Sequence, residues 1–486
     1  MRQFELGASG HLQVIGGPRS GRSTALRTIA AGLAEATAPR DLHLYGLDCG
    51  NGALLPLARL PHTGAVVQRT EVERASRLLE RLSEEVTRRQ AVLGAAGYAD
   101  IDEQRRAVPA DERLPYVVLV LDRWEGFMSD LAEVDMGSLN DRIMSLLREG
   151  ASVGVQVVMS GDRTLLAGRI ASMVESRFVL RLPDRSDFTS AGLRPKEVPE
   201  HLRDGRGLWA ETGIEGQVAT LGTDASGAAQ SDAVRRLAEE LTARFPVADL
   251  PAHLRPFRLD ALPAEISAAD ALDGVGALPG RVPLALGGDD LALIDAEATA
   301  SPVLVAGPPR SGRTNTLAFL LSHADGVGRP VLGFTPIENS LTALLGDRAV
   351  VGTDADPDEV VTRLRALEDG ALVLVDDGES LREGPLAPVM AAIVRQARDK
   401  AFSVVIAGGT SELGSGFSGW LAEARKGRKG IILSPQEALS GDLFGGRIAR
   451  TSLVRRIQPG RGVYFPGDGD QLLVQVPLVA EESSPA

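Results

Sequence analysis

The pattern of apolar and polar positions predicts the same three elements in each half of the chain: an apolar strand, a glycine-rich loop and a helix. In the first half the strand covers residues 11–15, and apolar residues recur at helical spacing over residues 24–33. In the second half the strand covers residues 303–306 and the helix residues 314–322. A strand that leads through a loop into a helix opens a β-α-β unit, so a parallel sheet is predicted for both halves.

Further apolar runs predict the remaining strands, in a similar order in the two halves. The predicted strands are residues 42–48, 114–122, 154–160 and 177–182 in the first half and 330–334, 371–377 and 402–407 in the second. A glycine turn comes late in each half, as Asp204-Gly205-Arg206-Gly207 and as Pro459-Gly460-Arg461-Gly462. Arg177 and Arg181 alternate with apolar residues in the strand 177–182, and exposure of both arginines on an edge of the sheet would account for this alternation.

The predicted helices are residues 71–93, 137–148, 231–245 and 388–400. The first of these is long and charged, with one apolar stripe. Its charged residues, including Arg88 and Arg89, are expected to form a solvated face.

These patterns divide the chain into two α/β domains with mainly parallel central sheets. The predicted boundaries are 1–222 for the first domain, 223–280 for a linker with a helix, 281–480 for the second, shorter domain and 481–486 for a tail. Gly16 and Asp122 are 106 positions apart, whereas the corresponding Gly307 and Asp376 are 69 positions apart. We interpret the halves as a divergent tandem duplication in which the second half lacks a counterpart of the long charged helix.

The composition is that of a globular protein and excludes several classes. Hydrophobic residues make up 44% and charged residues 24% of the 486 residues, so each half can bury a full core. The formal net charge of −13 argues against a surface built mainly to bind nucleic-acid phosphates. The single cysteine, Cys49, excludes an internal disulfide framework and a cysteine-based zinc site. No apolar run is long enough to span a membrane, so a cytoplasmic protein is expected.

The two glycine-rich loops are predicted to bind phosphate. In a Gly-x-x-x-x-Gly loop between a strand and a helix, successive backbone N–H groups face the phosphate, and the helix N-terminus adds a favourable dipole. The predicted cofactor-binding residues are Gly16, Gly17, Pro18, Arg19, Ser20, Gly21, Arg22, Ser23 and Thr24 in the first half and Gly307, Pro308, Pro309, Arg310, Ser311, Gly312, Arg313, Thr314 and Asn315 in the second.

Carboxylates at the ends of two apolar strands complete the predicted sites. Asp122 ends the strand 114–122, and Asp376 and Asp377 end the strand 371–377. An aspartate at this position beside a phosphate loop is suited to Mg²⁺, as is a Ser or Thr hydroxyl at the start of the helix. Asp122, Asp376 and Asp377 are therefore the predicted catalytic residues.

Three arginines depart from the pattern of an active ATPase. Arg22 and Arg313 stand where a lysine is expected after the second loop glycine, and a planar guanidinium does not replace a compact ammonium conservatively. Arg123 follows Asp122 where a glutamate would orient water, and a cation cannot act as a general base. Asp377 occupies the corresponding place in the second half. ATP binding with weak or absent hydrolysis is therefore expected.

The motifs resemble those of the FtsK/SpoIIIE translocase ATPases and, among these, the EccC-type ATPases of type VII secretion. The segments that carry the resemblance are Gly10-His11-Leu12, Leu60-Pro61-His62, Glu84-Glu85-Val86-Thr87-Arg88-Arg89, Asp122-Arg123-Trp124, Gly154-Val155-Gln156-Val157-Val158, Leu180-Arg181-Leu182 with Asp184, Thr314-Asn315, Asp376-Asp377 and the two glycine turns. The chain resembles the last two ATPase modules of such proteins, without their membrane-anchored segment and first ATPase.

The resemblance implies two tandem RecA-like P-loop NTPase domains that bind ATP and Mg²⁺. It implies that Ser23, Asp122, Thr314 and Asp376 are the metal ligands, and that the last module offers a pocket for the C-terminal signal of a secreted substrate. Other subunits of a membrane-associated secretion motor are the implied partners, with a ring of copies of this chain as a further expectation. The protein is then expected in the cytoplasm, peripheral to the inner face of the membrane through a partner.

Three hypotheses for the function follow. The first is a degenerate ATPase module that couples ATP binding to protein export. The second is a DNA-translocating or DNA-binding ATPase, which the net charge disfavours. The third is a non-hydrolysing scaffold that recruits a secreted substrate. Arg177, Arg181 and Arg447 are candidates for an arginine finger, with a solvated arginine as the alternative for each.

Overall fold

The chain divides into two compact units, Met1–Leu259 and Asp260–Ala486, in a computed structural model that describes residues 5–7, 10–398 and 402–480. The predicted tail 481–486 and the last residues of the helix predicted for 388–400 lie outside the described residues. Within the described ranges, no helix combines the length and apolar character that a membrane span requires.

The first unit is an α/β structure with eight strands in one sheet. Its strands are β1 (Leu12–Ile15), β2 (Leu42–Asp48), β3 (Thr63–Gln68), β4 (Tyr116–Asp122), β5 (Val155–Gly161), β6 (Ser176–Leu180), β7 (Arg206–Trp209) and β8 (Glu215–Gln217). Its helices are α1 (Arg22–Ala36), α2 (Val72–Ala96), α3 (Ile101–Ala107), α4 (Trp124–Asp130), α5 (Ser138–Glu149), α6 (Gly168–Met173), α7 (Ser186–Ser190) and α8 (Gly227–Arg244).

The sheet of the first unit brings the carboxyl ends of its central strands to one edge. The strand order is β3-β2-β4-β5-β1-β6-β7-β8, with β1 to β6 parallel and β7 and β8 antiparallel to their neighbours. The register pairs Ile15, at the end of β1, with Gly161, at the end of β5. Because the loop after β1 starts at this edge, it lies near the residues that follow β4 and β5.

The exposed edge that would account for Arg177 and Arg181 is not found, because the strand at residues 176–180 lies inside the sheet. Two further strands, β7 and β8, continue the sheet beyond β6, so β6 lies between β1 and β7. Arg181 reaches the surface beyond the end of β6 and pairs with Asp204. Its exposure therefore reflects the end of the strand and not an open sheet edge.

The expectation of a fully solvated charged face on α2 is also wrong at one position. Arg89 is only 1% exposed, whereas the side chain of its neighbour Arg88 is 53% exposed. The Arg89 guanidinium donates to Glu85 Oε1 at 2.6 Å and to the Val153 carbonyl at 3.0 Å. Val153 ends the short 3-10 turn that follows α5, so the arginine connects α2 to the segment between α5 and β5.

Helix α8 packs on the first unit, although the sequence places it in the linker. Its apolar stripe, Val234, Ala238 and Leu241, belongs to the same core cluster as Leu26 of α1. The predicted linker therefore divides at Leu259, with α8 in the first unit.

The second unit contains a ten-stranded sheet. Its strands are β9 (Arg281–Gly287), β10 (Ala292–Glu297), β11 (Val303–Ala306), β12 (Val331–Thr335), β13 (Ala349–Val351), β14 (Leu372–Val375), β15 (Ser403–Gly408), β16 (Gly430–Leu433), β17 (Arg461–Phe465) and β18 (Leu472–Gln475). Its helices are α9 (Ala268–Leu272), α10 (Arg313–Gly326), α11 (Ser340–Leu345), α12 (Pro357–Arg365), α13 (Ala387–Arg398), α14 (Thr410–Gly414) and α15 (Trp420–Ala424).

The two sheets share one strand order. From β13 to β18 the second sheet runs β13-β12-β14-β15-β11-β16-β17-β18, which repeats the order of the first, and β9 and β10 extend it at one edge. The prediction of α/β domains with mainly parallel sheets is confirmed. The expected absence of a counterpart to α2 is corrected, because the nine-residue α12 occupies that place in chain order, before β14.

Candidate phosphate-binding sites

Two glycines of the first loop have different roles, one in the backbone conformation and one in close packing. Gly21 has φ +104°, and a Cβ there would lie 3.1 Å from the backbone of Gly205. A Cβ on Gly16 would lie 2.4 Å from Ser20 Oγ, so Gly16 permits the close turn of the loop. Arg19 also has a positive φ, +58°. The loop therefore forms a tight turn that ends at the first residue of α1, Arg22.

The second loop repeats this geometry. Gly312 has φ +103° and Arg310 has φ +65°. A Cβ on Gly307 would lie 2.5 Å from Ser311 Oγ. The same backbone therefore precedes α10, as predicted from the matching sequences.

In each unit the glycine turn, which precedes β7 or β17, forms a backbone hydrogen bond to the loop. Gly205 N donates to the Ser20 carbonyl at 2.8 Å, and Gly460 N donates to the Ser311 carbonyl at 2.9 Å. These backbone hydrogen bonds fix the loops independently of side-chain chemistry.

Asp122 is fully buried at the end of β4 and faces the first loop. Its Oδ2 accepts a hydrogen bond from Ser23 Oγ at 2.8 Å, and its Oδ1 accepts one from Ser160 Oγ at 2.5 Å. Burial raises the pKa of Asp122 above its ordinary value, although the two hydroxyl donors oppose this shift. The structure thus brings together the two predicted metal ligands of the first site.

Asp376 follows β14 and faces the second loop in the same way. Its Oδ2 accepts from Thr314 Oγ1 at 2.9 Å and from Asn339 Nδ2 at 2.8 Å. Burial is the main cause that raises the pKa of Asp376, and the charge of Asp377 raises it further. The second pair of predicted metal ligands is therefore also together, with an amide in place of the second hydroxyl.

Both P-loop arginines bind carboxylates of their own unit. Arg22 Nη2 lies 2.9 Å from Glu125 Oε1. Arg313 Nη2 lies 3.1 Å from Asp377 Oδ1, and its Nη1 lies 3.7 Å from Glu379 Oε1. Asp377, predicted as a catalytic residue, is therefore engaged by the arginine that replaces the usual lysine.

The side chain of Asn315, predicted to bind the cofactor, is engaged elsewhere, and Arg123 lies at the first loop. Asn315 donates its amide to the Pro477 carbonyl at 2.9 Å and accepts from Val479 N at 3.0 Å, so its side chain attaches α10 to the chain after β18. Arg123 has φ +64°, and its backbone N–H donates to Ser160 Oγ at 3.0 Å. Its side chain lines the cavity at the first loop, where it adds positive charge.

Each loop borders a cavity of a size suited to a small-molecule ligand. A cavity of about 400 Å³ lies at the first loop, between Gly21, Ser23 and Arg123 on one side and Gly205 on the other. A larger cavity of about 640 Å³ borders the start of the second loop. A third, of about 420 Å³, lies beside Gly312 and the Gly460 turn. The second loop is therefore open on two sides.

Sequence reasoning missed Glu125, Glu379, Ser160 and Asn339. The spacing of the two glutamates was visible, because each stands three positions after the strand-terminal aspartate. Ser160 and Asn339 have no shared spacing. Ser160 reaches its carboxylate from β5, and Asn339 reaches the other carboxylate from the N-terminus of α11.

Buried donors in the loops fit a phosphate ligand. Ser20 Oγ, Ser311 Oγ and Arg22 Nη1 are buried and have no hydrogen-bond partner within residues 5–7, 10–398 and 402–480. An anion with several oxygen acceptors would satisfy such donors, which otherwise cost free energy.

The parallel sheet, the glycine loop after its central strand and the carboxylate on a nearby strand define a P-loop NTPase fold. Residues 2–204 match the model of the FtsK/SpoIIIE family, as the motifs predict, and this family implies nucleotide binding. The resemblance to the EccC type is confirmed by the relatives. The chain is 29% identical to the ESX-4 secretion system protein EccC4 of Mycobacterium tuberculosis, over 97% of this chain and 38% of that protein.

Other relatives also match nearly all of this chain over a part of their own length. The ESX secretion system protein EccC of Thermomonospora curvata is 26% identical over 96% of this chain and 37% of its own length. YukB of Bacillus subtilis, also an ESX secretion system protein, is 24% identical over 99% of this chain and 33% of its own length. The chain thus spans between 33% and 38% of the length of these three relatives.

Solved structures confirm the predicted fold of two RecA-like domains. ATPases 2 and 3 of EssC from Geobacillus thermodenitrificans match with a TM-score of 0.73 and 21% identity, over 98% of this chain and 93% of that one. ATPases 2 and 3 of Thermomonospora curvata EccC, in complex with a signal sequence peptide, match with a TM-score of 0.57 and 22% identity, over 97% of this chain and 88% of that one.

Proposed function

We propose that the protein is a degenerate ATPase module of an FtsK/SpoIIIE-like secretion motor and that both P-loops bind Mg·ATP. The observation that carries this proposal is a hydroxyl–carboxylate pair in each unit, Ser23 with Asp122 and Thr314 with Asp376. Oxygen ligands of this kind suit Mg²⁺ held together with nucleotide phosphates. When bound, Mg²⁺ neutralises charge on the phosphate oxygens.

In this proposal the loops bind nucleotide better than they support hydrolysis. Arg123 follows Asp122, and a cation there cannot take a proton from water. Asp377 holds the equivalent place in the second unit, but it is paired with Arg313 at 3.1 Å. The Asp377 oxygen nearest the guanidinium is thereby engaged and not directed at a water molecule. Binding energy at both sites is therefore available mainly for conformational coupling.

The proposed role is to couple ATP binding to protein export in a larger assembly. The likeness to EccC4 and to YukB supports a secretion motor, with further subunits of a membrane-associated machine as partners. The common strand order of the two units supports a divergent tandem repeat. We place the protein in the cytoplasm, peripheral to the inner face of the membrane through such a partner, in a ring of copies.

The cavity of about 640 Å³ in the second unit is the proposed contact for a secreted protein. It lies beside Pro308 and Pro309 and includes Leu439, an apolar residue that is 55% exposed. The complex of Thermomonospora curvata EccC with a signal sequence peptide supports this assignment. Binding of a labelled C-terminal peptide of a secreted protein, measured for wild type and Leu439→Glu, tests it. Equal affinity of the two proteins would exclude this cavity.

Calorimetric titration with Mg·ATP tests the nucleotide sites. We expect wild type to bind at two sites per chain, and Arg22→Lys and Arg313→Lys to bind more tightly because an ammonium follows the phosphates more closely. Ser23→Ala is the matched control, since it removes one metal ligand and retains the loop backbone. Absence of binding in wild type and in both lysine variants would refute nucleotide binding.

ATP turnover measured with and without duplex DNA distinguishes protein export from DNA translocation. A translocase predicts ATP turnover that rises with duplex DNA and falls with salt. We expect turnover that does not respond to DNA. Stimulation by duplex DNA would instead favour the DNA-translocating alternative.

A further inference from the structure

In the first unit a glutamate connects the P-loop arginine to the neighbouring strand. Glu125 Oε1 pairs with Arg22 Nη2 at 2.9 Å. Its other oxygen, Oε2, accepts a hydrogen bond from Asp162 N at 3.2 Å. Asp162 is the first residue after β5, which lies beside β1 in the sheet. One carboxylate therefore bridges the loop and the end of the adjacent strand.

The second unit contains the same connection, built from a different local sequence. Glu379 Oε1 lies 3.7 Å from Arg313 Nη1 and accepts a hydrogen bond from Gly409 N at 3.0 Å. Gly409 is the first residue after β15, the strand beside β11. Because both glutamates stand three positions after the strand-terminal aspartate, the connection has the same position in both units.

In the first unit a phosphate bound in the loop would compete with Glu125 for Arg22. Arg22 is 8% exposed and lines the cavity at the loop together with Gly21 and Ser23. One end of its guanidinium pairs with Glu125, while Nη1 has no hydrogen-bond partner in the described part of the chain. A polyphosphate in the loop would attract this guanidinium and repel the Glu125 carboxylate.

We infer that Glu125 and Glu379 are positioning residues that restrain the P-loop arginine and report phosphate binding to the end of the neighbouring strand. The inference rests on the proposed binding of nucleotide. Phosphate draws the arginine away from the glutamate, and the glutamate then releases the amide of Asp162 or Gly409. The arginine–glutamate pair therefore lowers nucleotide affinity and couples the remaining affinity to a change in structure.

In the second unit this change reaches the large cavity. Gly409 precedes α14, and residues 409–412 line the cavity of about 640 Å³ together with Pro308 and Pro309. Release of Gly409 N would loosen the start of α14. The glutamate thus provides a physical route between the second P-loop and the proposed substrate contact.

Glu125→Gln is the primary test, because it removes the charge and preserves the shape of the side chain. Mg·ATP and inorganic pyrophosphate are titrated into the full chain, and two sites are fitted. We expect affinity at one of the two sites to rise about tenfold, as for a charge-assisted contact that is no longer shared. Glu133→Gln, on an exposed residue of the same region, is the matched control and should bind as wild type does.

The outcomes separate this inference from the proposed function. If wild type binds Mg·ATP and Glu125→Gln binds equally or more weakly, the inference is wrong and the proposed function stands. If Glu125→Gln binds while wild type and Glu133→Gln do not, Glu125 restrains Arg22 as inferred, but nucleotide binding by the natural protein and its report to the neighbouring strand are refuted. If none of the three binds, both are refuted. Thermal unfolding of each variant checks that the first unit is folded.

Amide hydrogen exchange of the wild-type chain tests the second step without a substitution. We expect Mg·ATP to accelerate exchange at Asp162 N and Gly409 N by about threefold or more, because their acceptors are drawn away. The adjacent sheet amides, such as Ser160 N, serve as the internal control. Unchanged or slower exchange at both positions would overturn the coupling. Glu379→Ala, which removes the acceptor of Gly409 N, should show fast exchange at Gly409 before nucleotide is added.

Discussion

Asp122 in the first unit is held by two serine hydroxyls, and one glutamate neutralises the nearby Arg22. In the second unit the corresponding arginine faces two carboxylates, and the buried aspartate is held by a threonine and an asparagine. The loop backbones of the two units are nevertheless the same, with φ values of +104° and +103° at the second glycine. Different residues therefore set the loop geometry and the local charge. The loop geometry is shared, whereas the charge around the arginine and the partners of the buried aspartate differ between the two sites.

The largest expected difference between the units is in the loss of stability at low pH. Burial lowers the pKa of His11 and of His43, both in the first unit, from 6.5 to about 4. The unfolded chain takes up these protons below pH 6.5 while the folded unit does not, so stability is complete above pH 6.5 and is lost as the pH falls towards 4. The loss amounts to roughly 3 kcal/mol for each histidine.

Calorimetric unfolding between pH 7 and pH 4 measures this loss. His11→Asn should reduce the pH dependence by about half, because the asparagine oxygen can replace Nδ1 as the acceptor for Val157 N, which lies 2.9 Å away, and cannot be protonated. A pH dependence identical to that of the wild type would contradict the assignment.

The second prediction compares two adjacent arginines on α2. Arg89→Ala should destabilise the first unit by about 3–5 kcal/mol, because it leaves Glu85 and the Val153 carbonyl without their buried donor. Arg88→Ala should cost less than about 1 kcal/mol, because its pair with Glu85 is exposed. Urea unfolding monitored by tryptophan fluorescence gives both values. Equal losses would mean that burial of Arg89 does not matter.

The third prediction tests whether the two loops depend equally on their glycines. Gly21→Ala and Gly312→Ala should each cost about 1–2 kcal/mol for the left-handed backbone, and both should weaken nucleotide binding. Gly32→Ala is the control, because nothing lies within 4 Å of a Cβ there and α1 gains up to about 1 kcal/mol. If only one of the two variants lost stability, loops with the same backbone would differ in how much they depend on glycine.

The smallest expected change in stability concerns the buried aspartates. Because burial raises the pKa of Asp122 and Asp376, their ionised forms reduce stability as the pH rises through the raised pKa, and stability is greatest below the unfolded value. Asp122→Asn and Asp376→Asn should therefore raise the Tm slightly at pH 8, while Mg²⁺-dependent nucleotide affinity at the changed site falls about tenfold or more. A lower Tm for both variants, measured by calorimetry, would contradict this account.

The sequence predicted the elements that depend on local pattern. The apolar runs ending at Ile15 and Asp122 are strands within one or two residues of the predicted bounds, because a strand buried on both faces has few polar positions. Strand β3 was not predicted, since Gly64 and the small residues beside it resemble a turn. The close approach of Gly64 to the Phe257 carbonyl, 2.1 Å from a Cβ built there, accounts for the glycine and depends on a distant segment.

Long-range contacts explain the remaining differences. Whether β6 lies at an edge depends on β7 and β8. Arg89 is bound by the Val153 carbonyl, 64 positions away along the chain, and local periodicity reveals neither contact. The two site glutamates had a visible spacing, but their significance appears only when the sheet brings Asp162 and Gly409 beside them. The predicted metal-ligand pairs needed only the parallel order of the strands, and the structure brings both pairs together.

The hydrogen bonds from Gly205 N to Ser20 and from Gly460 N to Ser311 have an evolutionary consequence. Because the protein's own backbone maintains each loop, the fold does not need a bound ligand to preserve the loop's shape. Substitutions such as lysine to arginine after the loop can therefore accumulate without selection against misfolding. A lineage can therefore change the residues that follow the loop and still inherit an intact loop architecture, on which selection for a different task can act.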